Sequence, residues 1–70
     1  MRIRANGKVL ELSGTMPVTQ LLAEAQVEMP DYVSVQLNEV MLLRSDFDQT
    51  LVQEGDEVEF LYFMGGGFLW

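Results

Sequence analysis

No cysteine and no histidine occurs among the 70 residues of this chain, and that absence constrains its fold more than any motif. Neither a disulfide nor a thiolate- or imidazole-bound metal can staple the polypeptide. It must rest on packing alone, near the lower size limit at which one hydrophobic core suffices. Only a single domain fits. With 49% hydrophobic and 21% charged residues, the composition is that of a dense small globule rather than a disordered segment. The missing histidine also removes the commonest general base, so the usual triad cannot be assembled around Ser13, Ser34 or Ser45. An independent enzyme is not expected.

Eleven acidic residues against four basic ones give a formal charge of −7, which repels phosphate backbones. Nucleic acid and anionic membranes are therefore not expected partners. Solubility and steering towards a basic protein are both served by such a surface. No apolar run approaches the ~20 residues of a membrane span, and the start of the chain lacks the apolar stretch of a signal peptide. A cytoplasmic location is expected.

Hydrophobic periodicity divides the chain. Met1, Ile3 and Ala5 alternate with Arg2 and Arg4, the pattern of a half-buried strand. Asn6-Gly7 comes next, a pair suited to a hairpin turn that needs positive φ at both positions. Val9, Leu10 and Leu12 supply the returning strand, ended by Ser13-Gly14. Val18, Leu21, Leu22 and Ala25 then recur at helical spacing. Pro17 is placed in the first helical turn, where its missing N–H costs nothing. The helix is short and must lay its apolar stripe on a sheet. Met29-Pro30-Asp31 stops it.

Tyr32 to Leu37 reads as a strand with Val33, Val35 and Leu37 on one face, and Asn38-Glu39 as a turn before a short strand over Val40 to Leu43. Arg44 to Thr50 is expected to be irregular or a short helical turn anchored by Phe47, with Leu51 and Val52 returning to the core. Glu54-Gly55-Asp56 is a tight turn. The last strand runs from about Glu57 to Phe63 and, being the most apolar, is expected in the centre beside the first. Its second face carries Leu61 and Phe63 near the tail, a candidate docking patch. A single helix across one face of a mixed sheet of four to five strands satisfies this order, an α+β two-layer domain.

Asp46 and Asp48, and Glu54, Asp56 and Glu57, crowd carboxylates together, but the spacing of a calcium loop is missing and solvated turns explain them. Arg44 is expected to pair with one of these acids. Gly65-Gly66-Gly67, between a strand and three bulky apolar residues, is best explained as a thin, extensible segment whose backbone enters a space too narrow for a Cβ atom. Simple fraying is the alternative.

The segments MRIRANGKVLEL, PVTQLLAEA, VSVQLNEV and LVQEGDEVEF, followed by Gly66-Gly67, together resemble the ubiquitin-like sulfur carriers of the ThiS/MoaD group. The likeness spans residues 1 to 67, and the lack of an insertion after the helix is closer to the thiamine-type carrier. It implies a β-grasp domain over residues 1–64 and a flexible glycine-rich C-terminal tail over 65–70. It also implies that Gly67 is adenylated and converted to a thiocarboxylate, with Gly65 and Gly66 threading the tail and Leu61, Phe63 and Met64 docking a partner. The implied partners are an adenylating enzyme of the ubiquitin-activating type, a sulfur donor and a sulfur-accepting synthase. ATP and magnesium are used by the activating partner, and the carrier itself binds no cofactor. Thiamine thiazole is the implied destination, with homocysteine, methionine or another sulfur metabolite as alternatives.

Members of that group end at the second glycine, whereas Phe68-Leu69-Trp70 extends beyond Gly67 here, and an amide cannot be adenylated. Three explanations stand. The extension is removed by a protease, for which the resemblance suggests a metalloprotease of the deubiquitinase type. Or it is a binding element of a non-catalytic ubiquitin-like interaction module. Or it was appended by cloning, although Phe-Leu-Trp matches no common tag.

Overall fold

A computed structural model describes residues 1–64, 67 and 68, the last two and residues 63–64 through their strand pairing. Strands β1 (Arg2–Ala5) and β2 (Lys8–Glu11) form the first hairpin, paired from Arg2 with Glu11 to Ala5 with Lys8. Asn6 and Gly7 take φ of 50° and 82°, the doubly positive turn that the Asn-Gly pair favours. The two-residue strand β3 (Met16–Pro17) leads into helix α1 (Val18–Glu24). Strands β4 (Ser34–Leu37) and β5 (Val40–Met41) form a second hairpin. Its turn, Asn38-Glu39, is also doubly positive, at 48° and 70°. A 3₁₀ segment, Arg44–Asp46, precedes β6 (Leu51–Val52), and β7 (Glu57–Leu61) completes the main sheet.

That sheet has five strands in the order β2-β1-β7-β4-β5. Strand β7 lies in the middle, parallel to β1 and antiparallel to β4, the central position its apolar sequence predicts. Alternation along each strand sends Ile3, Val35 and Val58 to one face, where they are buried against Val18, Leu21 and Leu22 of α1 and against Phe47. The helix has only seven residues, so this apolar contact, not helix propensity, keeps it formed.

Two expectations near the helix are corrected. Pro17 is not in the first turn but is the N-cap residue, extended at φ −67° and ψ 156°, and it pairs with Leu51 while Met16 pairs with Val52. The chain leading into β6 gives the first two helical N–H groups their partners: Val18 donates to the Thr50 carbonyl and Thr19 to that of Phe47, at 2.9 and 3.2 Å. No side-chain cap is then required. Leu51, expected in the core, is instead 50% exposed, while its neighbour Val52 is fully buried, because a strand sends successive side chains to opposite faces. At the other end of α1, Gln26 takes φ of 56° and Val27 N–H donates to the Leu22 carbonyl, a left-handed helix stop that glycine more often supplies.

The last strand is also shorter than expected. It ends at Leu61, and after Tyr62 a separate two-strand pair begins between β8 (Phe63–Met64) and β9 (Gly67–Phe68).

Candidate functional site

The tail leaves from the central strand, so everything that fixes β7 also fixes the base of the tail. On one side β4 pairs along β7 to its last residue, with Ser34 opposite Leu61. On the other side β1 accompanies β7 only as far as Ala5 opposite Val58, after which the chain turns away at Asn6. The Asn6 side chain continues the ladder. Its Oδ1 accepts the Phe60 N–H at 2.8 Å, and its Nδ2 donates to the Phe60 carbonyl at 3.4 Å. One residue beyond the strand, the Tyr62 hydroxyl donates to the Glu28 carbonyl at 2.6 Å. Burial, and secondarily the nearby Glu28 carboxylate, raise the Tyr62 phenol above its ordinary value, since both disfavour the phenolate.

Leu61 lies on the face of the sheet away from the helix and is half-buried. The register puts it beside Ser34, with Glu59, Gln36 and Met41 in the next row. Farther across come Glu57, Arg4 and Val9. The arginines there face carboxylates, Arg2 at 3.0 Å from Glu11 and Arg4 at 3.9 Å from Glu57. Glu59, nearest the tail, has Gln36 opposite it. This face is thus acidic near the tail, with isolated apolar side chains among the charges. A shallow cleft of about 210 Å³, lined by Asn6, Glu59, Phe60 and Leu61, opens at the tail's base.

Phe63 and Met64, two of the expected docking residues, stand in β8 opposite Phe68 and Gly67 respectively. Gly67, the residue expected to carry sulfur, is therefore strand-paired with Met64. Gly65, Gly66, Leu69 and Trp70, named for threading and for the removable extension, lie outside the described residues.

The other candidates serve the fold. Asp56 accepts the Gln53 N–H and an Asn38 amide hydrogen, Glu54 accepts the Arg2 N–H, and Asp48 accepts the Thr19 hydroxyl hydrogen. Arg44 does not pair with an acid as expected. Its guanidinium donates to the Pro30 and Val33 carbonyls and lies over the Phe47 ring, 5.1 Å from the centroid. Among the described residues no group of three or more aspartates and glutamates is placed to hold a metal ion, and no helix is long and apolar enough to cross a membrane.

Local sequence does not single out Asn6 and Tyr62 as anchors of the tail. Asn6 is legible there only as a turn residue. Its second role depends on a strand 54 residues away, and no local pattern reports that.

Comparison with known proteins bears on the same stretch. A model of the ThiS family matches residues 3–67, so the match ends on Gly67. The crystal structure of a thiamine biosynthesis protein, ThiS, from Geobacter metallireducens superposes with a TM-score of 0.89 at 48% identity, over 96% of this chain and 100% of that one. The solution structure of a thiamine biosynthesis protein from the same organism gives 0.75 at 47% identity, over 100% and 92%. A thiazole synthase of Paramagnetospirillum magneticum is 34% identical over 67 residues, which are 96% of this chain but only 20% of that protein. The chain thus spans about one fifth of that relative.

Proposed function

The chain belongs to the ThiS family of small β-grasp sulfur carriers, which are not catalysts, and from that premise we propose that it delivers sulfur for the thiazole of thiamine through a thiocarboxylate at Gly67. The observation that carries this reading is the end of the family match at Gly67, whose carbonyl is still tied up as an amide to Phe68. A processing protease, here taken to be a metalloprotease, removes Phe68-Leu69-Trp70 and frees the Gly67 carboxylate.

A carboxylate is a poor electrophile. An adenylating partner uses ATP and magnesium to form the Gly67 acyl adenylate, releasing pyrophosphate. Sulfur released by a donor at the oxidation level of hydrosulfide attacks the acyl carbon, the bond to the phosphate oxygen breaks, AMP departs with the electron pair, and the sulfur-bound proton is lost. The thiocarboxylate left behind is the sulfur nucleophile presented to a thiazole synthase. The occurrence of a similar segment within a thiazole synthase supports that final partner. The β8–β9 pairing has to open for Gly67 to enter a neighbouring active site. Two paired residues per strand hold it only weakly. Once open, the chain from Met64 to Gly67 reaches about 13 Å. Leu61, Phe63 and Met64 form the apolar part of the docking contact, and the net charge of −7 speeds encounter with a basic activating enzyme.

The test is the intact mass of the protein from its native cell. A species ending at Gly67, with a fraction heavier by one oxygen-to-sulfur exchange, is expected. Exclusively Phe68-retaining protein under sulfur limitation would instead favour a binding module that uses the tail as it stands.

A further inference from the structure

The geometry points to Asn6 and Tyr62 as positioning residues that fix where, and in which direction, the tail leaves the domain. This rests on the proposed carrier function. Strand β7 loses its β1 neighbour after Val58: the Asn6 N–H reaches the Val58 carbonyl at 3.0 Å, and the main chain then turns off at φ of 50° and 82°. An exposed strand edge would be left at Phe60. The Asn6 carboxamide fills that edge by presenting one acceptor and one donor to Phe60, at 2.8 and 3.4 Å, as a neighbouring peptide group would. Two residues on, the Tyr62 hydroxyl fastens the chain to the Glu28 carbonyl at 2.6 Å, in the segment between α1 and β4. Phe60 is thereby held in the plane of the sheet and Tyr62 by the connection after the helix. From Phe63 onward the described strand pairing is within the tail itself.

Two anchors of this kind matter because a tether of a few residues delivers its end efficiently only when its root is fixed. Every degree of freedom added at the root dilutes the end over a larger volume and lowers the fraction of encounters with reacting atoms aligned. Neither bond involves Gly67. Their action is on orientation, so they should govern turnover rather than docking.

The main sheet ends at Leu61, so the species ending at Gly67 keeps the fold and serves in an activation assay. Asn6→Gly retains a residue that tolerates positive φ in the turn while deleting the carboxamide, and Tyr62→Phe deletes only the hydroxyl. In the full chain, we expect Asn6→Gly to speed hydrogen exchange of the Phe60 amide about tenfold, the loss of one hydrogen bond, with the Val58 amide unchanged. Backbone order at Leu61 to Met64, from nitrogen relaxation, should fall in both variants and further in the double variant. In ATP–pyrophosphate exchange with a ThiS-activating enzyme, kcat should fall about fivefold, with KM within twofold. Unchanged order at Leu61 to Met64 overturns the inference, and so does loss of order with kcat intact or with an effect on KM alone. If the unsubstituted species is not adenylated, the carrier reading fails, while exchange and relaxation still decide whether the two side chains fix the root.

Discussion

Glu24, the last residue of α1, takes both hydrogen-bond donors of Ser13, the backbone N–H at 2.7 Å and the hydroxyl at 2.9 Å. The bond joins the end of the first hairpin to the far end of the helix. It closes a loop containing Pro17 and the entire helix, and it supplements a helix of seven residues that apolar contact alone must otherwise retain. Replacing Glu24 by alanine should lower stability by about 1 kcal/mol. Glu24→Gln, which keeps an acceptor, should lose less. Urea denaturation of the two variants checks this, and equal midpoints for both and for the parent chain would show the contact to be idle.

Arg44 ties down the connection between α1 and β4. Its planar fork satisfies the Pro30 and Val33 carbonyls while its face covers Phe47, which is 5% exposed. Lysine has the charge but neither the fork nor the flat face. Arg44→Ala should cost about 2 kcal/mol, and Arg44→Lys should recover less than half of it. Full recovery by lysine, read as the shift in denaturation midpoint, would reduce Arg44 to a point charge.

Tyr62 gives the pH dependence its sign. Its folded pKa is raised above the ordinary value of 10.0, so the folded state holds the phenolic proton more tightly than the unfolded chain does. The associated stability is complete below pH ~10 and is lost as pH rises through the folded value, where the phenolate can no longer donate to the Glu28 carbonyl. A spectrophotometric titration in the Tyr32→Phe background isolates this group and should give a midpoint above ~10. A midpoint at or below the free value would contradict the bond. Tyr62→Phe should flatten the alkaline limb of the stability profile.

The proposed docking contact should separate from the proposed anchoring one in kinetics. Alanine at Leu61, Phe63 and Met64 together removes apolar area from the base of the tail without touching Asn6. It should raise KM for the activating enzyme about tenfold while leaving kcat near the parent value. Unchanged KM would remove these three residues from the interface.

Gly67→Val tests the proposed threading of the tail through narrow spaces. The valine adds a branched side chain at the residue proposed to react, and the denaturation midpoint of the domain should stay near that of the parent chain. Cleavage after position 67 and ATP-dependent thiolation should both be lost. Unimpeded processing of this variant, detected by mass spectrometry, would refute a threading requirement.

Much of this protein is legible in its residues taken a few at a time. Alternation in Met1 to Ala5 and Tyr32 to Leu37, the helical recurrence of Val18, Leu21 and Leu22, and the Asn6-Gly7 and Asn38-Glu39 turns each report a local conformation. The structure has those elements, with the two strands starting later than the alternation does, at Arg2 and at Ser34. The ThiS-type resemblance is carried by the same segments and by the glycines. Periodicity says which face of an element is apolar, but not what another part of the chain brings to it. Local sequence places Pro17 in the helix because nothing nearby reports that Leu51 will pair with it. It places Leu51 in the core, and Arg44 beside a carboxylate, for the same reason. The two anchors at the root of the tail join residues 54 and 34 positions apart. Local preference thus set the elements, whereas the partners of Asn6, Tyr62, Pro17 and Arg44 were decided only when packing of the helix on the sheet brought distant backbone groups within hydrogen-bonding range.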